Sequence, residues 1–182
     1  MVYVNEFVTA IKRTQKLKLE LETPFIDSSG RYIKPETYKE VKKIILESFP
    51  EFSSGKYAKQ CMDISLKAKV ILEDYFNADI FFTIGDISVE GKKQFNFDEK
   101  YIKKLLASKQ FNANLKLHAW LTLPSLEIID LSLAQSVLLM SGDPISSDYI
   151  LSSPDKLKDG LEYHPMIIGE NFLHKTGNLV YL

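Results

Sequence analysis

A change in the spacing of apolar residues, close to residue 77, most constrains how this chain can fold. Before it, apolar residues recur every three or four positions in three segments, which is the pattern of amphipathic helices. After it, "ADIFFTIGDISVEG" is rich in β-branched and aromatic residues and predicts a strand over Ile80–Val89. Helices followed by strands that pair as neighbours predict an α+β fold rather than a doubly wound α/β fold.

Three helices are predicted before this change. The first fills the N-terminal segment, and its apolar positions are Val4, Phe7, Val8, Ile11 and Leu17. The second is opened by Pro35, because proline lacks only an N–H that has no partner in a first helical turn. The third, about Ala58–Phe76, is apolar around more than half of its circumference, which is typical of a central helix. Its main stripe consists of Cys61, Ile64, Ser65, Ala68, Leu72 and Tyr75, and a second stripe consists of Met62, Leu66 and Val70.

The rest of the chain predicts strands with short helices between them. Alternation over Leu115–Leu123, the turn "PSL" and an apolar run over Glu127–Leu131 predict a β-hairpin. Another strand is expected near Tyr163–Ile168, and short helices are expected in "LAQSVLLMSG" up to Gly142 and after residue 168. The segment "DEKYIKKLLASK" is expected to form either a short amphipathic helix or a turn-rich excursion. With no repeat or linker in 182 residues, we expect one domain over 1–182, with the third helix packed on an antiparallel sheet.

Composition excludes several classes of function. Lys and Arg number 23 against 24 Asp and Glu, so no excess of positive charge favours nucleic acid or an anionic membrane. No apolar run approaches the roughly 18 residues of a membrane span. The N-terminal segment has no apolar core typical of a signal peptide, so we expect a cytoplasmic protein or export by a route without a cleavable signal. The sequence leaves the oligomeric state open.

The only cysteine, one histidine and one aspartate form the candidate chemistry. Cys61 lies near the start of the third helix, where unpaired N–H groups and the helix dipole favour a thiolate. His118 lies in the first strand of the hairpin and could take the thiol proton. Asp130 lies in the second strand and could hold the imidazole in the required tautomer. Such a triad needs no metal and no cofactor.

A purely structural interpretation exists for each residue. Free cysteines are often small buried hydrophobes, and strand histidines are often satisfied core residues. An aspartate in the position of Asp130 is often a residue that ends a strand or forms a turn. If the third helix begins at Ser54 rather than near Gln60, the dipole acts weakly on the thiol, because its effect fades within one turn. The other histidines show no metal-ligand spacing, and His164, which precedes Pro165, is expected to end a loop.

Three short motifs resemble the core of a known family. "QCMDIS" opens a helix, "HAW" lies in a strand and "EIIDLS" ends the next strand. In this order and spacing they resemble the transglutaminase-like superfamily of cysteine enzymes, which is related in fold to papain-like proteases and arylamine N-acetyltransferases. The resemblance covers about 55–133. It implies Cys61 as nucleophile, His118 as general base and acid, and Asp130 as the residue that orients the imidazole, with Trp120 as the family's aromatic beside the histidine.

The function expected from these residues is cysteine-dependent acyl transfer from an amide. A peptidase, a protein-glutamine deamidase and a transglutaminase share the attack that forms a thioester, and they differ in whether water or an amine resolves it. The substrate would be a protein, a peptide or a small amide. The Cys61 N–H is the first expected oxyanion donor, with Tyr57 or Gln60 as the second. The alternatives are a catalytically inactive binding or adaptor module that retains the fold, and an acetyl-coenzyme A acyltransferase of the arylamine type.

Overall fold

The computed structural model describes residues 2–22, 24–27, 30–52, 60–95, 97–112, 115–136, 149–158 and 160–178. Within these residues the chain is α+β, as predicted. The helices are α1 (Val2–Lys16), α2 (Thr37–Ser48), α3 (Cys61–Phe76), α4 (Glu99–Ser108) and α5 (Asn171–Lys175). The strands are β1 (Phe81–Val89), β2 (Lys92–Lys93), β3 (His118–Thr122), β4 (Ile128–Asp130), β5 (Ile150–Ser152) and β6 (Leu161–Ile168). None of the helices found in these ranges has the length and apolar character needed to cross a membrane.

The chain divides into two compact units, neither of which is continuous in sequence. The first unit contains Met1–Pro24, Thr83–His118 and Leu157–Leu182, and the second contains Phe25–Phe82 and Ala119–Lys156. Two strands run across the division, because β1 begins in the second unit and β3 begins, with His118, in the first. The single domain expected from the sequence stays a prediction.

The first unit is built on β1, which pairs antiparallel with β2 and with β6. Asp86 pairs with His164, and Ser88 pairs with Glu162. The ladder has an irregularity between Ile84 and Gly85, and Gly85 pairs with Pro165. Proline has no N–H to donate, so an irregular position on an outer strand is where a sheet accepts it.

Helix α1 covers the outer side of β6. Arg13 Nη1 donates to the carbonyl oxygen of Met166 (3.0 Å), and the N–H of Ile168 donates to Thr14 Oγ1 (3.0 Å). The buried stripe of α1 is Tyr3, Phe7, Ala10 and Thr14. The sequence predicted Val4, Val8 and Ile11 on this face, which are only half-buried, so the true face is rotated. Thr14 can occupy it because its hydroxyl is hydrogen-bonded, also to Ala10 O (2.8 Å).

The second unit contains the predicted hairpin, with β4 paired to β3 on one side and to β5 on the other. The register of the hairpin pairs Leu121 with Ile129 and Thr122 with Ile128. Its turn is closed by a hydrogen bond from the N–H of Leu123 to Glu127 O (2.9 Å). Strands β2 and β5 were not predicted, because two or three residues are too short to show a periodic pattern.

Helix α3 buries one stripe and not two. The main predicted stripe is buried from Cys61 to Leu72. The second stripe was wrong: Val70 is 66% exposed, and Met62 and Leu66 are half-buried. Only one face of α3 packs, so its remaining apolar residues lie toward the surface. The predicted start at Ala58, the predicted donor Tyr57 and the predicted end of a helix at Gly142 lie outside the described residues.

Candidate functional site

Cys61 is the first residue of α3. Gln60, the residue before it, has φ −111° and ψ 36°, which is not helical, so Cys61 lies in the first turn rather than in the second. The thiol is free, and the residue is 7% exposed. The first N–H groups of a helix have no intrahelical partner and carry the positive end of the dipole. Cys61 therefore occupies the part of α3 that stabilises an anion most.

His118 is the first residue of β3 and is 1% exposed. Its imidazole stacks on the ring of Phe95, with 5.4 Å between ring centroids and 19° between ring planes. Phe95 lies between β2 and α4, in the same compact unit as His118. No local pattern in the sequence predicts this stack, because its two rings come from separate elements.

Asp130 is the last residue of β4 and is fully buried. Its Oδ1 accepts hydrogen bonds from the N–H groups of Ser132 and Leu133 (both 3.0 Å) and from Ser132 Oγ (3.3 Å). The bonds to the two N–H groups form a turn that leads into a helical turn at 133–136. Part of the purely structural interpretation of Asp130 is therefore confirmed, because one carboxylate oxygen holds the end of β4.

The three predicted residues lie on three elements, α3, β3 and β4. Helix α3 is joined to β3 by a hydrogen bond from Ser65 Oγ to the carbonyl oxygen of Ala119 (3.4 Å). Strand β4 is joined to β3 by pairing, and His118 is part of β3 itself. In the division into compact units, Cys61 and Asp130 belong to the second unit and His118 belongs to the first.

The buried carboxylate of Glu127 fixes the hairpin from the side of the turn. It accepts hydrogen bonds from the N–H groups of Tyr32 (2.8 Å) and Ile33 (3.3 Å) and from Ser125 Oγ (2.5 Å). These bonds attach the chain before α2 to the β3–β4 turn. Glu127 belongs to the quoted motif "EIIDLS", but no local pattern predicts a structural role for it.

A second polar cluster surrounds His164, which lies inside β6 and not at the end of a loop as expected. Its Nδ1 lies 3.1 Å from Glu6 Oε2, and its Nε2 lies 2.9 Å from Ser88 Oγ. This order of hydroxyl, imidazole and carboxylate is that of a serine triad. However, Ser88 Oγ is also 3.0 Å from Glu162 Oε2, and one hydroxyl proton cannot serve two acceptors.

The contacts around His164 are best explained as structural contacts that hold neighbouring elements together. Ser88 is 3% exposed and lies inside β1, which is paired on both sides at this position, so its strand offers no spare N–H groups as an oxyanion hole. The contacts instead join α1, β1 and β6. Nor do the residues that the structure describes place three or more His, Cys, Asp or Glu side chains where they could hold a metal ion.

The fold and site define an α+β protein with a buried free thiol at a helix start and a buried histidine and aspartate on paired strands. Comparison with protein-family models, with curated proteins and with solved structures finds no match. The resemblance to transglutaminase-like enzymes thus depends on the three quoted motifs and stays a prediction.

Proposed function

We propose that this protein is a cysteine-dependent acyl-transfer enzyme that attacks an amide, with Cys61 as nucleophile, His118 as general base and acid, and Asp130 as the residue that orients the imidazole. The observation that carries the proposal is the register of the β3–β4 hairpin, together with the bond that joins α3 to β3. The substrate is a protein, a peptide or a small amide.

The register supports the pairing of His118 with Asp130. Leu121 opposes Ile129 in this antiparallel pair, so extending the register by one residue brings Trp120 opposite Asp130. Side chains alternate along a strand, and His118 therefore projects on the same face as Trp120 and Asp130. Diagonal neighbours on one face are about 7–8 Å apart between backbones, a span that imidazole and carboxylate side chains can bridge. The three bonds to Asp130 described above use Oδ1, and orientation of the imidazole would use Oδ2.

The contact between α3 and β3 supports the place of the thiol. Ser65 follows Cys61 by four residues and shares its buried helix face. The hydroxyl of Ser65 donates to Ala119 O, and Ala119 follows His118 in β3. The face of α3 that carries the thiol is thus the face bonded to the strand that begins with the histidine.

The reaction follows from these groups. His118 takes the proton of the Cys61 thiol, and the thiolate adds to the amide carbonyl carbon, while the N–H of Cys61 donates to the oxyanion. The C–N bond breaks as the imidazolium gives its proton to the leaving amine, and a thioester remains. Water, deprotonated by His118, then attacks the thioester, releases the carboxylic acid and restores the thiol. We favour water over an amine because hydrolysis needs no second substrate site.

Alkylation by iodoacetamide tests the proposal. At pH 6 only about 0.3% of an ordinary thiol with a pKa near 8.5 is thiolate. We expect Cys61 in the wild type to react about 10- to 100-fold faster than such a thiol, because the ion pair raises its thiolate fraction while lowering its intrinsic nucleophilicity. His118→Ala should remove this excess. His174→Ala is the matched control, since it removes an imidazole from another element.

The same experiment decides the alternative, an inactive binding or adaptor module. The observation that supports this alternative is the burial of Cys61. It lies in the apolar stripe of α3, where a small hydrophobic residue would also fit. A thiol that reacts only after denaturation, with equal rates in wild type and His118→Ala, would support the module and contradict the enzyme.

A further inference from the structure

We propose that Phe95 is a positioning residue for His118 and that the buried carboxylate of Asp86 holds Phe95 in place. This inference rests on the proposed function, because it assigns a role in the same reaction to residues outside the triad. Its basis is the stack of the Phe95 ring on the imidazole, at 5.4 Å and 19°. All three residues belong to the first compact unit.

Asp86 fixes the segment that carries Phe95. Its Oδ1 accepts the N–H of Phe95 (2.9 Å) and the N–H of Ile87 (2.9 Å). The neighbouring N–H of Gln94 donates to Ile87 O (2.8 Å). Together these bonds attach the chain after β2 to β1, and so they set where the phenyl ring stands.

The carboxylate of Asp86 is unusual for a strand interior, because its side chain is only 3% exposed. A buried charge is costly unless it is paired and hydrogen-bonded. Lys93 Nζ lies 3.4 Å from Oδ2, and the two N–H groups serve Oδ1. The bonds that this carboxylate makes explain why a charge is buried here. One of them holds Phe95, whose ring stacks on the imidazole of His118.

The stack acts on His118 in two ways. First, a ring held against one face of the imidazole restricts its rotation, which keeps Nδ1 and Nε2 aimed in fixed directions. Second, the face of a phenyl ring is negative and attracts a cationic partner. The imidazolium is the form that His118 takes beside a thiolate, so Phe95 favours the reactive ion pair. Phe95 is only half-buried, so its replacement should leave the fold intact.

The test compares Phe95→Leu with Phe95→Tyr, which keeps an aromatic ring, and with Phe111→Leu, which removes a ring that is 73% exposed. One readout is the alkylation rate of Cys61 at pH 6. The other is the nuclear magnetic resonance signal of the His118 ring protons. We expect Phe95→Leu to lower the rate about fivefold, which corresponds to about 1 kcal/mol of stacking energy. It should also move the ring-proton signals downfield, because the shielding by the phenyl ring is lost. Phe95→Tyr and Phe111→Leu should behave as wild type.

Asp86 provides a second pair of variants. Asp86→Ala removes the acceptor for the N–H of Phe95 and should lower the rate in the same direction as Phe95→Leu. Asp86→Asn keeps an oxygen acceptor and should retain the wild-type rate. Circular dichroism checks that each variant is folded.

The outcomes separate the two proposals. A wild-type thiol that is inert at pH 6 overturns the proposed function and the positioning role with it. A reactive wild type whose rate and His118 signals are unchanged in Phe95→Leu overturns the positioning role alone. Loss of rate in Phe95→Leu without recovery in Phe95→Tyr also counts against the stack as the cause.

Discussion

Replacing Thr14 with valine removes one hydroxyl group that joins α1 to the outer side of β6. The hydroxyl accepts the N–H of Ile168 (3.0 Å) and donates to Ala10 O (2.8 Å). Thr14 is fully buried, so water cannot take its place. Valine has nearly the same shape, and the variant therefore isolates the loss of the hydrogen bonds.

The size of the effect follows from the groups left behind. A buried N–H without a partner costs about 1–3 kcal/mol. The carbonyl oxygen of Ala10 loses only a supplementary bond, because a helix carbonyl already accepts an N–H from the next turn. We expect Thr14→Val to lower the free energy of unfolding by about 2 kcal/mol. For a chain of this length, that corresponds to a fall of about 4–8 °C in the melting temperature.

Urea and thermal unfolding measure the loss, and Thr14→Ser is the matched control. Serine keeps the hydroxyl and loses one methyl group, which should cost about 1 kcal/mol. Amide hydrogen exchange at Ile168 should accelerate in the valine variant and not in the serine variant. Equal stability of the two variants, or a valine variant as stable as wild type, would refute the reasoning.

Three further predictions concern other polar groups. Glu127→Gln should lower the free energy of unfolding in urea by about 2–3 kcal/mol, because a neutral amide replaces a carboxylate that accepts two N–H groups and a hydroxyl. An unchanged unfolding midpoint would contradict this. Asp130→Ala should lower the free energy of unfolding by about 1–3 kcal/mol, since two N–H groups lose their acceptor. Asp130→Asn keeps an oxygen acceptor and should lower it less in the same assay. Burial of the phenol and its hydrogen bond to Glu40 raise the pKa of Tyr75 to about 12, so the stability that Tyr75 contributes is full below pH 10.0 and is lost as the pH rises through 12. The titration midpoint of Tyr75 is measured by ultraviolet absorbance, as the difference between the wild type and Tyr75→Phe. In Glu40→Gln this midpoint should move to a lower pH.

Periodic patterns and residue type predicted the elements that bury apolar side chains. The main stripe of α3 is confirmed from Cys61 to Leu72, because burial there follows the 3.6-residue period. Strand β1 and the β3–β4 hairpin are confirmed as strands, although their residues are buried continuously and not at every second position. The face of α1 was misjudged because Thr14, a polar residue, is buried by means of its hydrogen bonds. Hydropathy alone carries no information on whether a hydroxyl will find a partner.

The candidate site could be predicted only in part, for a similar reason. The motifs placed Cys61 at a helix start and His118 and Asp130 in strands, as the structure has them. Whether they act as a triad stays a prediction. The stack of Phe95 on His118 depends on a turn fixed by a carboxylate in another strand, and no local pattern records such a dependence.

The attachment of α1 to β6 also bears on how the chain acquires its structure during synthesis. Thr14 and Ile168 are 154 residues apart, so the ribosome makes the helix long before the strand that it protects. At about 5–20 residues per second, that interval is about 8–31 s. Throughout it, α1 lacks β6, the strand to which Thr14 and Arg13 are hydrogen-bonded in the complete fold. The first unit can be completed only when translation has passed β6.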